Sequence, residues 1–278
     1  MVRGAGVRSV HPSGGRGRLD VVATPIGNLG DLSPRAQSVL ADADLILAED
    51  TRSFKRLPVN LKESAQVLSY YDHNEQQRIP QVLDALGQGK NVALVSEAGT
   101  PLVSDPGYRL VRACREHNYP VSPIPGPCAA ISALSVSGLP SDRFIFEGFL
   151  PVKEGKKRKA LASALERGIT ALFYESPHRI AKTLALIEDL APDCEVFVAR
   201  ELTKLHEETF FGTAAEVAGQ IRERTSLKGE VVLAISGKHA TVSHSAGELD
   251  DPTDEDGADL TDAGCEDSPT DPTEPDEA

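Results

Sequence analysis

Short apolar runs alternate along this chain with longer stretches whose apolar residues return every three or four positions. Leu19–Ala23, Leu45–Ala48, Val67–Tyr71, Val92–Val95 and Val121–Ile124 are bounded by Gly, Pro or polar residues. Each predicts a short buried strand. Between them, Arg35–Ala43, Asn74–Leu86, Tyr108–His117 and Cys128–Val136 carry helical spacing; in the second, Ile79, Val82, Leu83 and Leu86 share one face. Ser33-Pro34 is a helix start, an N-cap followed by proline at the first helical position. After Leu139–Asp142, which reads as a linker, strands are predicted at Phe144–Phe149, Ala171–Tyr174, Glu195–Ala199, Glu208–Gly212 and Val231–Ile235. Helices are predicted at Ala160–Arg167, Ile180–Leu190 and Ala214–Arg224. Strands alternating with helices predict an α/β fold with parallel or mostly parallel sheets, in two domains, 19–138 and 139–243.

The loops after the first strands share a texture. Ser96-Glu97-Ala98-Gly99-Thr100-Pro101-Leu102-Val103-Ser104-Asp105-Pro106-Gly107 is the longest; the others are Thr24–Asp31, Glu49–Arg52 and Pro123–Pro127. In an open α/β sheet, ligands sit at the carboxyl ends of the strands. If these strands are parallel neighbours, all four loops converge on one pocket. The loops contain neither G-x-G-x-x-G nor a Gly-Lys-Ser/Thr phosphate loop, so they point to a small-ligand pocket and argue against a nucleotide-binding module.

Composition changes the picture at the two ends. The net charge is −13, but His244–Ala278 holds 14 of the 42 acids and no Lys or Arg, which leaves 28 acids against 29 bases elsewhere. The tail predicts disorder, and the folded part is nearly neutral. Residues 1–18, with four arginines and five glycines, read as a basic extension without the apolar middle of a secretory signal. No apolar run approaches a membrane span. Four scattered cysteines and seven ungrouped histidines suggest neither disulfides nor a metal site, as expected of a cytoplasmic protein.

Local chemistry alone leaves alternatives open. Glu49-Asp50-Thr51-Arg52 is either a functional acid cluster or a helix start with acids favoured by the dipole. In Glu175-Ser176-Pro177-His178-Arg179, Ser176 reads as an N-cap; no strained G-x-S-x-G elbow makes it a nucleophile. Lys153, Lys156, Lys157, Arg158 and Lys159 form either a solvated helix face or a phosphate-backbone contact.

Seven ordered blocks then carry a resemblance: V-A-T-P-I-G-N-L-G-D (22–31), A-E-D-T-R (48–52), S-E-A-G-T-P-L-V-S-D-P-G (96–107), P-G-P-C-A-A (125–130), E-G-F-L-P (147–151), Y-E-S-P-H-R (174–179) and A-R-E-L-T-K (199–204). From about Leu19 to Gly237 the chain resembles the ribosomal RNA small subunit methyltransferase I family, in the tetrapyrrole-methylase-like class of S-adenosylmethionine-dependent enzymes. The resemblance implies two α/β domains, each with a central sheet flanked by helices, and a donor cleft between them. It also implies a homodimer, and 2′-O-methylation of a cytidine ribose in the decoding region of 16S rRNA within the small ribosomal subunit. No membrane or DNA partner is expected.

Carried onto this sequence, the resemblance places Pro25 and Gly27 in the first donor loop. Glu97, Ala98, Gly99 and Thr100 take the acidic Gly-rich donor loop, with Ser104 and Asp105 beside it. Gly126, Pro127, Cys128 and Ala129 lie near the adenine, and Tyr174 and Glu175 close the pocket from the second domain. Where the wider class carries Gly-Asp-Pro, this chain has Ala98-Gly99-Thr100-Pro101, a form that fits the RNA-modifying branch. Clustering at strand ends makes Glu49, Asp50 and Glu201 candidate bases for the ribose proton. Arg52, Arg200 and Lys204 are candidates to position phosphates. Lys55, Arg56, Arg179 and the 153–159 cluster complete the expected RNA surface. Two other readings remain: a methylase of a small tetrapyrrole, and a non-catalytic RNA-binding assembly factor.

Overall fold

The computed structural model describes residues 17–224 and 227–237. Most of the expected basic extension and the whole acidic tail lie outside the described residues. Gly17 and Arg18, assigned to that extension, are instead held by the fold: the Gly17 N–H donates to the Leu86 carbonyl, and the Arg18 carbonyl accepts from Val92.

The first sheet is built from β1 (Leu19–Val22), β2 (Leu45–Ala48), β3 (Gln66–Ser69), β4 (Val92–Val95) and β5 (Val121–Ile124). Its order is β3-β2-β4-β1-β5, and every pairing is parallel. β2 and β4 are buried at all four positions, as central parallel strands covered on both faces must be. One face packs on α3 (Glu75–Gly87) and α4 (Tyr108–Glu116) through Val82, Leu86, Leu110 and Cys114. The other packs on α1 (Pro34–Asp42) through Ala36 and Leu40. Ser33 caps α1 as expected, its hydroxyl accepting from the Ala36 N–H.

The second sheet comprises β6 (Phe144–Phe149), β7 (Thr170–Glu175), β8 (Glu195–Arg200), β9 (Glu208–Thr213) and β10 (Val231–Ile235), in the order β6-β7-β10-β8-β9. Only β6–β7 is parallel. The sheet is therefore mixed, not mostly parallel. A short connection joins β8 to β9 as an antiparallel pair, and β10 inserts against β7 and β8 from the opposite direction. α6 (Glu154–Glu166), α7 (Ile180–Leu190) and α8 (Ala214–Arg222) cover one face. α6 begins earlier than expected and absorbs most of the lysine cluster.

The other face of this sheet carries α5 (Ala129–Val136). Ala130, Ala133 and Leu134 of α5 pack on Leu172, Phe197, Val232 and Ala234. The helix that the sequence assigns to the first domain thus helps to form the core of the second sheet. Both sheets belong to one compact unit.

Candidate active site

Parallel pairing brings the ends of β1, β2, β4 and β5 to one edge, and hydrogen bonds between their loops fix the edge. The Thr24 N–H donates to the Gly99 carbonyl (2.9 Å) and the Gly99 N–H to the Thr24 carbonyl (3.1 Å). Gly99 has φ of +84°, which a side chain would strain. The Thr100 hydroxyl donates to the Pro127 carbonyl at 2.9 Å, and the Glu97 N–H to Glu49 Oε2 at 3.3 Å.

Between this edge and the second sheet lies a cavity of about 640 Å³, within the size range of small-molecule sites. Pro25, Gly27, Glu97, Ala98, Gly99, Thr100, Ser104, Asp105, Cys128 and Ala129 line it from the first sheet's side. Tyr174 lines it from the second sheet, its ring edge-on to Phe146 and Phe149. Gly126 and Pro127 stand behind this lining: a Cβ on Gly126 would come 3.0 Å from the Ala23 Cβ, and Pro127 serves through its carbonyl.

The three candidate bases separate. Glu49 lines the cavity. Burial raises its carboxyl, the charges of Glu97 and Asp72 add to this, and the Glu97 N–H partly offsets them. Asp50 does not line the cavity. It caps α2 (Thr51–Phe54), accepting from the Arg52 N–H at 2.7 Å and pairing with the Arg52 guanidinium, which holds its carboxyl low. Glu201 is also spent on the fold, bound by Lys204 Nζ at 2.8 Å and the Glu230 N–H at 2.9 Å. Burial alone would raise its carboxyl, but those two contacts hold it low. Asp105, expected only as a donor contact, is pushed up to about 6 by burial and the Glu49 charge, with the Ser96 hydroxyl opposing. Glu49, Glu97 and Asp105 together give the cavity an acidic wall.

Glu175 lines the cavity beside Tyr174, as expected. Its carboxylate is not open to a ligand: the side chain is fully buried and saturated by Lys157 Nζ (2.6 Å), the Thr183 hydroxyl (2.7 Å), Arg179 (2.6 Å) and the Ser176 N–H (2.7 Å). Strand alternation explains the difference between the neighbours: the Tyr174 ring lies on the cavity's face of the sheet, the Glu175 carboxylate among the helices. Lys157 requires a correction. Only 5% of its side chain is exposed, so it cannot meet RNA.

The remaining basic residues divide in the same way. Arg52, Lys55, Arg56, Lys153, Lys156, Arg158 and Lys159 are exposed. Of these, Arg52 pairs with Asp50 and Arg158 with Asp189; the other five have no carboxylate partner among the described residues. Arg179 is held by Glu175 and Arg200 by Glu208. Lys204 lines the cavity while bound to Glu201 and Glu230.

Ser53 and Leu57 also line the cavity, as do Phe149, Leu202 and Gly229–Val232. Only antiparallel insertion brings the start of β10 to the edge where β7 and β8 end, so spacing along the chain carries no sign of Gly229–Val232. Phe149 had a signal, the aromatic run 144–149. A bulge at Gly148 (φ +71°) turns Phe149 toward the cavity.

No helix among the described residues is long and apolar enough to cross a membrane. No group of three or more His, Cys, Asp or Glu among them could hold a metal ion.

The sequence profile of the Tetrapyrrole (Corrin/Porphyrin) Methylases matches residues 18–218. The chain is 46% identical over 241 residues to Ribosomal RNA small subunit methyltransferase I of Escherichia coli O157:H7, covering 86% of this chain and 82% of that one. It is 45% identical to the protein of the same name from Thermotoga maritima, covering 80% of this chain and 99% of the relative. Among solved structures, the methyltransferase CobJ superposes with a TM-score of 0.60 at 20% identity, over 80% of this chain and 94% of that one. Uroporphyrin-III C-methyl transferase from Thermus thermophilus, complexed with S-adenosyl homocysteine, superposes with a TM-score of 0.52 at 18% identity, over 79% and 97%.

Proposed function

Because the chain belongs to the ribosomal RNA small subunit methyltransferase I family of tetrapyrrole methylases, we propose that it methylates the 2′-hydroxyl of a cytidine ribose. S-adenosylmethionine is the donor, and the target lies in the decoding region of 16S rRNA in the small ribosomal subunit. The observation that carries the RNA reading is the run of relatives at 45–48% identity named for small-subunit rRNA.

The lining suits such a donor. Its volume accommodates a nucleoside with an amino-acid arm, and the carboxylates of Glu49, Glu97 and Asp105 favour a cationic one. S-adenosylmethionine supplies an activated methyl group on a sulfonium. The protein's main contribution to an in-line displacement is alignment. Ala98, Gly99 and Thr100, fixed to the β1 and β5 loops, would hold the donor from one side; Cys128, Ala129 and Tyr174 would hold it from the other. Glu49 is the base in this reading, because it lines the cavity and its carboxylate is not spent on an ion pair. Arg56 at the cavity's rim, with Arg52 and Lys55, would meet RNA phosphates near it. Lys153, Lys156 and Lys159 would extend the contact along α6. A target ribose is most readily reached in a single-stranded or splayed segment. The homodimer belongs to the same reading, and sedimentation of the full chain checks it.

Fold neighbours that methylate tetrapyrroles favour a second reading, a small-molecule methylase. The deciding experiment offers labelled S-adenosylmethionine to small subunits purified from a strain lacking this protein, and maps the label by nuclease digestion. Label on one cytidine 2′-oxygen is expected. Label elsewhere on the RNA corrects the target. No label on subunits or free RNA, with donor binding intact, transfers the assignment to a small-molecule substrate. No donor binding leaves an assembly factor.

A further inference from the structure

Behind the second-sheet wall of the cavity lies a buried polar network in an otherwise apolar core, complete around the Glu175 carboxylate though not at Arg179 Nε. β7 delivers Tyr174 and Glu175 to the cavity's lining, with the Glu175 carboxylate buried among the helices. Past Glu175 the strand ends, and Ser176 and Pro177 continue the wall as a turn into α7. Lys157 reaches in from α6, Thr183 from the second turn of α7, and Arg179 from its N-cap. Lys157 Nζ donates to Glu175 Oε2 (2.6 Å) and to the Thr183 hydroxyl (2.8 Å), and that hydroxyl donates to the same Oε2 (2.7 Å). Arg179 and the Ser176 N–H take Oε1. One carboxylate thus ties two helices and the turn to the last residue of β7.

Packing alone does not call for this arrangement. Burying charge is costly unless it is paired, and apolar side chains of similar volume often serve a core equally well. The network sits where the cavity wall leaves β7 and loses the support of strand pairing. β10 pairs with Tyr174 and Glu175 through Val232 and Val231. Beyond them, the Ser176 carbonyl accepts from the Arg179 and Ile180 N–H groups, and the Ser176 hydroxyl from the His178 N–H, all local bonds within the turn; the Glu175 carboxylate is what ties the turn to α6.

The geometry points to Lys157 and Thr183 as positioning residues for the methyl donor. Acting through Glu175, they fix the Tyr174–Pro177 wall against which the donor is held. This rests on the donor reading of the cavity. Neither side chain touches the donor; each sets where the wall stands.

Binding of S-adenosylmethionine to the full chain, measured by calorimetry well below the melting temperature, tests the inference without requiring turnover. Lys157→Met keeps length and removes the charge, while Glu175 retains Arg179, the Ser176 N–H and the Thr183 hydroxyl; the variant's melting temperature is measured alongside, and Thr183→Val, which leaves the ion pair intact, carries the test if Lys157→Met does not fold. Thr183→Val removes only the hydroxyl, and Thr183→Ser restores it. Leu184→Ala, in the same apolar core and fully buried, controls for lost stability. Lys157→Met and Thr183→Val are expected to weaken donor binding by about tenfold, as wall misplacement of a fraction of an ångström can. Thr183→Ser should match the wild type, and Leu184→Ala should lower the melting temperature with unchanged affinity. Wild-type affinity in both Lys157→Met and Thr183→Val overturns the inference, as does equal weakening in Leu184→Ala. Failure of the wild type to bind the donor overturns it too, by removing its premise. A wild type that binds the donor but leaves RNA unmethylated would refute the proposed reaction and leave this inference standing on its binding data.

Discussion

A carboxylate can take a proton from substrate only if its own lone pairs are not already committed. Asp50 caps α2 and holds Arg52, whereas Glu49, one residue earlier, lines the cavity. Glu49→Gln is expected to lower the methyl-transfer rate by about 10²–10⁴, the usual contribution of a general base. Asp50→Asn should leave that rate nearly unchanged; equal losses in both would remove Glu49 from the role. Asp105 carries a second consequence. Its carboxyl rises from 3.8 to about 6 in the folded chain. The folded state therefore holds an extra proton between about pH 4 and pH 6, and stability falls as pH rises through that window. Carboxyls held low, such as those of Glu175 and Glu188, act in the opposite sense, but only below about the ordinary glutamate value of 4.5. Asp105→Asn should thus raise the melting temperature at pH 7.5 by about 2–4 °C, what ~1 kcal/mol gives in a chain of this size. It should also flatten the dependence between pH 5 and 7. Calorimetry at the two pH values checks both.

At the scale of elements, the cleft is closed by the backbone of one loop fitted against the side chains of another. The loop after β1 meets the turn after β8 so closely that a Cβ on Gly27 would stand 2.4 Å from Lys204 Cγ and 2.8 Å from Thr203 Oγ1. That turn is itself constrained, with Glu201 and Thr203 at φ of +54° and +66°. Lys204 pins it to Glu201 and Glu230. Gly27 thus serves as a contact between the two sheets' loops as well as a lining residue. Gly27→Ala is expected to weaken donor binding and to lower stability by about 1–3 kcal/mol, the usual cost of overpacking. Donor affinity and melting temperature measured on the same sample test this. An alanine variant with wild-type affinity would mean that the two loops are free to separate without cost.

For the whole molecule, charge placement decides how RNA would be met. Lys55, Arg56, Lys153, Lys156 and Lys159 are exposed without carboxylate partners among the described residues. Lys157, Arg179 and Arg200 are bound into the fold. Replacing Lys153, Lys156 and Lys159 with glutamine is expected to reduce the slope of log affinity against log salt by about two, from three lost single-strand phosphate contacts. Donor affinity should stay at the wild-type level. Titration of binding to small subunits over a range of salt measures this, and an unchanged slope would place the RNA elsewhere.

Much of the architecture is legible along the chain because it depends on local physics. Unbroken apolar runs such as Leu45–Ala48 and Val92–Val95 specify strands buried on both faces. Ser33-Pro34 starts a helix wherever it stands, and the Gly- and Pro-rich loops mark the edge where a parallel sheet binds its ligand. The direction of β10, and with it the place of Gly229–Val232 in the cavity, was settled only by tertiary structure, because antiparallel insertion leaves no period in the sequence. The same holds for α5, whose small, evenly apolar surface fits either sheet until packing chooses one. Side-chain commitment is the third such case. Glu49 and Asp50 are neighbours of the same type, as are Lys156 and Lys157, and composition treats each pair alike. Which member faces a cavity or solvent, and which is spent inside the fold, follows from strand alternation and helix phase against neighbours that are distant in sequence.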